Sequence, residues 1–291
     1  MMEINMQTFS VNSSKLKYGH RLIPKLYWFT HELKQRYKSV GVHYVKLDSE
    51  TCSVSDGEHS AIPRKPDPGI RYLYGRNIKE GVVNFDPISD ISYISNEDYE
   101  SNPRCHISEN DVLIAIYGTV GKSAVYKKQQ VGKTGIPRHI ANISVKENAP
   151  FTPEYLSAFF RSKYGRNQVF SLMTGNLQQL FSLKNIRDFD LPLIVEGDFI
   201  SKITNLEKEA ILCEIKANRL INDAKSIFYE ALPFDIRSIE GDLTYSVPLS
   251  NVKEYSSLIP SQFNTLYSKT EDAILSYPHI VEASVVCVTR G

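Results

Sequence analysis

From Ile203 to Ala231 the apolar positions step three, four, three, four without a miss: Ile203, Leu206, Ala210, Cys213, Ala217, Leu220, Ala224, Ile227 and Ala231. A period of 3.5 leaves one local structure open, a continuous helix with a single seam suited to a partner helix. Charged and polar residues, among them Lys202, Glu207, Glu214, Lys216, Arg219 and Asp223, fill the intervening positions and read as solvated. Pro233 closes the helix, because proline lacks the N–H that the helix interior needs. From Phe199 to Leu232 the rod is about 50 Å long at roughly 1.5 Å per residue. Alanines and a cysteine in the seam mean close helix approach with modest apolar burial. Such a helix can pack on its own domain or stand out as an arm for a partner. Its length and its separation from the β-rich part of the chain favour the arm.

The preceding 195 residues have another texture. "GIRYLYGRNI", "KEGVVNF", "SDISYIS", "DVLIAIYG", "KSAVYKK" and "RHIANISVK" read as short strands separated by Pro and Gly punctuation such as "IPRKPDPG". "TPEYLSAFFRSKYGRNQVFSLM" reads as one helix, with Thr152 at the N-cap, Pro153 in the first turn, and Leu156, Phe159 and Phe160 facing a sheet. Strand runs followed by helices, without βαβ alternation, give an α+β class: a mixed β-rich domain followed by a long coiled-coil-forming helix.

Charge narrows the function. The net charge of +1 hides a segregation. Val112 to Lys146 carries Lys122, Lys127, Lys128, Lys133, Arg138 and Lys146 with no acid, and Tyr155 to Arg187 adds Arg161, Lys163, Arg166, Lys184 and Arg187, again with none. Basic residues mixed with Asn, Gln, His and Tyr suit a nucleic-acid surface, where phosphates are neutralised and base edges are met by amides and guanidiniums. Four separated cysteines without a C-x-x-C, and scattered histidines, fit reduced thiols in a cytoplasm and point away from disulfides or a metal centre. No apolar run approaches the roughly 20 residues that cross a bilayer.

One stretch, "DVLIAIYGTVGKSAVYKK" at 111 to 128, tempts a nucleotide reading through its Gly-Lys-Ser. A phosphate loop needs a glycine five positions before Gly121, where Ile116 stands, and a helix after it, where β-type residues follow. The stretch therefore predicts a hairpin whose tip displays Thr119 and Lys122. In addition, residues 10 to 24 and 246 to 260 share seven of fifteen positions at an offset of 236, as though one module began twice. Since the second start ends at "VVCVTRG", the chain is expected to be truncated relative to a two-module protein.

A module of about 200 residues, a spacer helix and a renewed start resemble the DNA-specificity subunit of Type I restriction-modification systems. "SDGEH" at 55 to 59 looks like that family's Asp-Gly-x-His turn. "GIRYLYGRNIKEGVVNF" resembles its Gly-x-Asn-Ile strand and hairpin, and "SENDVLIAIYGTVGKSAVY" its strand into a Gly-[TA]-x-Gly-Lys loop. "PEYLSAFFRSKYGRNQ" is similar to its Pro-Glu-Tyr-Leu helix, and "GNLQQLFSLKNIRDFDLPL" to its glycine loop and closing strand. Two departures are Gly175-Asn176-Leu177-Gln178 in place of Gly-x-Thr-Gln, and "LIVEGDF" in place of a Pro-Pro-x-x-Glu-Gln spacer entry.

The resemblance implies a target recognition domain over 1–195, a spacer coiled-coil helix over 196–233, and the start of a second, truncated recognition domain over 234–291. It implies contact with double-stranded DNA through Arg64, Lys65, Arg76, Asn77, Thr119, Lys122, Arg138, His139, Asn176, Gln178 and Gln179. For Arg76 and Asn77 the competing role is turn capping, and Asp56 and His59 are expected to fix a turn. The seam from Ile203 to Ala231 would dock methyltransferase subunits or a second copy of the chain, and an endonuclease-translocase subunit would complete the complex. The chain itself would be non-catalytic and bind no cofactor; S-adenosylmethionine, ATP and magnesium would belong to the partners. No Asn-Pro-Pro-Tyr or Asp-Pro-Pro-Tyr tetrapeptide is present, and Glu214-x-Lys216 lies within the helix without the acidic neighbours a nuclease needs. The alternatives are the recognition part of a fused methyltransferase-endonuclease and a coiled-coil interaction protein that does not bind DNA.

Overall fold

A computed structural model of the 291-residue chain describes residues 42–64, 69–79, 81–85, 91–175, 179–194, 197–231 and 265–276. Both copies of the internal repeat, together with Lys65, Asn176 and Gln178, lie outside these residues. The chain divides into two units, Met1–Lys216 and Ala217–Gly291. Among the described residues no helix is long and apolar enough to cross a membrane.

The first unit is built on four antiparallel strands: β2 (Cys52–Asp56), β10 (Ile140–Val145), β7 (Val112–Ala115) and β8 (Ser123–Val125), in that order. β7 reads Val-Leu-Ile-Ala without alternation because both of its faces are covered. Val112 and Ile114 enter one core with Leu156, Phe160, Phe181, Phe189 and Leu191, whereas Leu113 and Ala115 enter a second with Leu73, Ile78, Val83 and Ile136. Full burial of each such side chain contributes about 1.5–3 kcal/mol. β2, at the sheet edge, alternates instead, burying Cys52 and Val54 and exposing Ser53 and Ser55.

Smaller sheets surround this one. β1 (His43–Lys46) pairs antiparallel with β11 (Asp190–Leu193). β3 (Ile70–Tyr72) lies between β6 (Ser92–Ile94) and the parallel β9 (Thr134–Gly135). β4 (Ile78–Lys79) and β5 (Val82–Val83) form a short hairpin. β3 to β8 and β10 fall within the expected segments but are shorter, "GIRYLYGRNI" being interrupted by a 3-10 turn at Gly75–Asn77, whereas β1, β2 and β9 lie outside all of the segments expected as strands. Two short helices, α1 (Asn96–Ser101) and α2 (Lys128–Val131), complete the β-rich part.

The helix expected over 152–173 is in fact two, α3 (Pro153–Arg161) and α4 (Lys163–Leu172). Thr152 caps the first as expected, accepting from the Tyr155 N–H at 3.1 Å. Ser162 then leaves helical geometry and caps the second, accepting from the Gly165 N–H at 3.0 Å. A Cβ at Gly165 would stand 1.9 Å from the Phe159 carbonyl oxygen, so the break depends on that glycine. α5 (Leu183–Arg187) follows.

The long helix, α6, spans Phe199–Ala231 as the seam requires. Its first half, however, is fixed to the β-rich unit by a different face. Thr204, Glu207 and Ile211 are buried there, and Ile211 and Ile215 pack on Val82 and Val125. Glu207, which the sequence places among solvated positions, forms an ion pair with Arg161. This stripe sits one residue, about 100°, around the helix from the seam. Of the seam, Ile203 touches the core, while Leu206 is 61% exposed and Ala210 and Cys213 face solvent. In the second unit Leu220 and Ile227 are 56% and 67% exposed. That unit also contains α7 (Thr265–Leu275).

Candidate nucleic-acid interface

Antiparallel register brings the C-terminal ends of β2 and β7 and the N-terminal ends of β8 and β10 to one end of the central sheet. Asp56 pairs with Ala141, Ala115 with Ile140, and Ser123 with Ile114. Three connections therefore leave this end together: the Gly57–His59 turn, the tip from Ile116 to Lys122, and the Pro137–His139 turn.

The tip is the hairpin the sequence predicts, not a phosphate loop, because β8 follows the Gly-Lys-Ser. Gly118 and Gly121 adopt φ of +68° and +86°, a region that disfavours side chains. The turn closes through the Gly121 N–H to the Ala115 carbonyl at 2.9 Å, leaving Thr119 and Lys122 exposed.

Beside it, the Tyr117 and His139 rings meet edge to face, centroids 5.4 Å apart, and the Ile116 N–H donates to the His139 carbonyl. Desolvation of the imidazole, with the Arg138 charge adding to it, holds His139 below its ordinary pKa and so neutral at pH 7. Arg138 is exposed, and its N–H donates to the Glu58 carbonyl at 2.9 Å. The Asp-Gly-x-His turn behaves as the structural element expected: His59 Nε2 lies 2.8 Å from Asp56 Oδ2. Gly57 is needed there because a Cβ would stand 2.2 Å from the Ile136 carbonyl oxygen. Glu58, an acid that sequence reading did not place here, folds back on the His59 and Ser60 N–H groups. Those hydrogen bonds, Ser60's first, keep its carboxyl below the usual range.

The 3-10 turn joins from the side. A Cβ on Gly75 would lie 2.7 Å from Thr119 Oγ1, so glycine lets this turn abut the hairpin tip. Arg76 stacks over the Tyr74 ring at 4.7 Å. Arg64 lies 4.1 Å over Tyr72 and donates from Nε to Tyr74 Oη at 3.0 Å and from Nη1 to the Ile62 carbonyl at 2.6 Å. Its guanidinium thus supports Tyr74, which in turn supports Arg76. At the Tyr74 phenol, desolvation acts upward but is outweighed by hydrogen bonds from Ser92 and Arg64 and by the two arginine charges, so the net shift is downward. Asn77 is corrected from a DNA-facing to a turn-forming residue. It is 4% exposed, accepts from the Tyr74 N–H at 2.9 Å and donates to the Asn84 carbonyl at 3.2 Å.

The glycine loop arrives last. Thr174 and Leu180 exchange backbone hydrogen bonds at its base, Leu180 bridges to Tyr117, and Gln179 is exposed. Of the expected contact residues, Arg64, Arg76, Thr119, Lys122, Arg138, His139 and Gln179 are therefore linked through these loops.

The broader basic segments do not stay together. Lys127, Lys128 and Lys146 emerge at the opposite end of the sheet, past the far ends of β8 and β10. Lys127 is engaged by Glu154 at 3.2 Å, Lys133 by Glu100, and Arg187 by the Val54 carbonyl at 2.8 Å. Strand direction sorts these charges, and a count along the sequence cannot.

No protein-family model matches the chain, and no curated protein matches it. Solved structures that it resembles include the Type I restriction-modification S subunit from M. genitalium, at 12% identity and a TM-score of 0.39, covering 57% of this chain and 38% of that one. The HsdS subunit from Thermoanaerobacter tengcongensis matches at 14% identity and 0.40, covering 68% and 49%. A chain from a structure of type I R-M complex assembly and conformational transition matches at 15% and 0.42, covering 71% and 50%. The chain spans half or less of the length of these proteins.

Proposed function

We propose that this chain is a sequence-reading component of a Type I restriction-modification complex, recognising one half of a bipartite DNA site. The observation that carries the reading is the meeting of Arg76, Thr119, Lys122, Arg138, His139 and Gln179 at one end of the central sheet. Cationic groups there would neutralise phosphates and give steep salt dependence. Thr119, Gln179 and neutral His139 would meet base edges, and Arg76, held by Tyr74, has the planar fork that pairs with guanine.

The α6 seam would be the docking edge for methyltransferase subunits or for a second copy, since its residues after Ile203 are exposed, about 100° around the helix from the stripe that holds α6 to the β-rich unit. Methyl transfer with S-adenosylmethionine, and ATP-driven cleavage, would belong to the partner subunits. The test is methylome sequencing of the host with and without this chain. Loss of one bipartite methylated motif supports the reading, and an unchanged methylome removes it.

A further inference from the structure

Three connections leave the reading end of the central sheet, and Glu58 is the only acid on them. Its main chain is clamped to the Pro137–His139 turn: the Glu58 N–H donates to the Ile136 carbonyl at 3.0 Å, and its carbonyl accepts from the Arg138 N–H at 2.9 Å. The side chain folds onto its own turn with one oxygen only. Oε1 accepts from the His59 and Ser60 N–H groups, both at 2.8 Å. No hydrogen bond reaches Oε2 among the described residues, because the Ser60 hydroxyl, close enough to favour the charged carboxyl, donates to Asn102 Oδ1 at 3.4 Å. The Ser60 N–H foremost, with the Arg104 charge as the smallest contributor, keeps the group ionised at neutral pH. The carboxylate is also within electrostatic reach of the Tyr72 phenol, whose ring lies 4.1 Å from the Arg64 guanidinium. Burial pushes that phenol up to about 12; the Arg64 charge opposes the rise and the Glu58 charge adds to it.

An ionised carboxylate can only accept hydrogen bonds. The phosphate and sugar oxygens of a DNA duplex are acceptors as well, so none of them can bond to it. The donors that a duplex offers are the amino groups of its bases, which in the major groove are cytosine N4 and adenine N6. Adenine N6 stands beside N7, an acceptor that opposes a carboxylate, whereas cytosine N4 has no acceptor beside it on its own major-groove edge. From this placement and chemistry we infer that Glu58 is a specificity-determining residue, its Oε2 accepting from the N4 amino group of a cytosine in the half-site; the inference rests on the DNA-binding reading above. Lys122 and Arg138, on the adjoining connections, supply the positive charge that lets an acid approach the phosphates. Capping the turn occupies Oε1 alone, and the pairing of Asp56 with His59 already fixes that turn.

The test is selection by the full chain from a randomised duplex library, with the bound pool sequenced, for the parent, Glu58→Gln and Glu58→Ala. The parent is expected to enrich a cytosine at one position. In Glu58→Gln the amide oxygen keeps both turn hydrogen bonds and places its NH2 where Oε2 stood, so a donor replaces an acceptor. Preference at that position should then move to guanine or thymine, whose major-groove edges carry acceptors, with discrimination in favour of cytosine falling about ten-fold or more. The glutamine variant should melt as the parent does and keep its preferences elsewhere in the site. Glu58→Ala should lose the cytosine without gaining another base and, with the negative charge gone, bind unselected duplex more tightly. A cytosine preference that survives Glu58→Gln overturns the inference and leaves Glu58 a turn cap. Loss of an adenine in its place, or a parent that binds duplex with no base preferred, overturns it too. Failure of the parent to bind any duplex would instead remove the DNA-binding reading, and this inference with it.

Discussion

Arg161, at the end of α3, and Glu207, on α6, form an ion pair beneath the Gly81 turn, and both side chains are largely withdrawn from solvent. The pair fixes the first half of α6 to the β-rich unit, yet it is incompletely satisfied, because Arg161 Nε is buried without a hydrogen-bond partner among the described residues. Glu207→Ala is expected to cost roughly 3 kcal/mol by urea denaturation, since it leaves a buried cation alone. Replacing both residues with leucine should recover most of that loss.

The two faces of α6 are separable by mutation. Ile211→Ala, on the packed face, is expected to cost about 3 kcal/mol. Leu206→Ala, on the seam, should stay within about 0.5 kcal/mol. Under the proposed function, Leu220→Glu with Ile227→Glu should likewise leave stability intact but abolish the proposed association with methyltransferase subunits or a second copy, read by light scattering. Association that survives both substitutions would rule the seam out as an interface.

The contact between Gly75 and Thr119 predicts a rescue. Gly75→Ala introduces a Cβ too close to Thr119 Oγ1 and should cost about 1–2 kcal/mol. Thr119→Ala removes the offending atom, so the double variant should be more stable than Gly75→Ala alone. Purely additive effects would mean that the two loops do not touch.

Gly165→Ala tests the helix break. The clash is with backbone, which cannot swing aside, so a loss of about 2 kcal/mol or more is expected in thermal or urea unfolding. Ser162→Ala, which removes only the cap, should cost about 1 kcal/mol.

His139 predicts a pH dependence whose sign follows from its depressed pKa. The unfolded chain takes up this proton near the ordinary value of about 6.5, before the folded chain does. Its contribution is therefore constant above pH 6.5, and stability declines as pH falls through that value. In His139→Gln the denaturation midpoint should fall less between pH 7 and pH 5 than in the parent. Equal slopes would show that the imidazole titrates alike in both states.

Periodicity was enough to determine the α+β class, the hairpin at Val112–Val125 and the full span of α6, because each rests on local spacing and on proline or glycine at fixed points. Adjacency in space was decided only by the tertiary fold. Antiparallel register gathers Thr119, Lys122 and Arg138 at one sheet end, where loop packing adds Arg76 and Gln179, and sends Lys127 and Lys146 to the other. Packing chose which stripe of α6 is buried, selecting Thr204, Glu207 and Ile211 over the more regular seam because Arg161 supplies Glu207 with a counter-charge. Asn77 shows the same limit: an amide's type is written in the chain, but whether it faces a groove or closes a turn depends on which backbone groups the fold brings within reach.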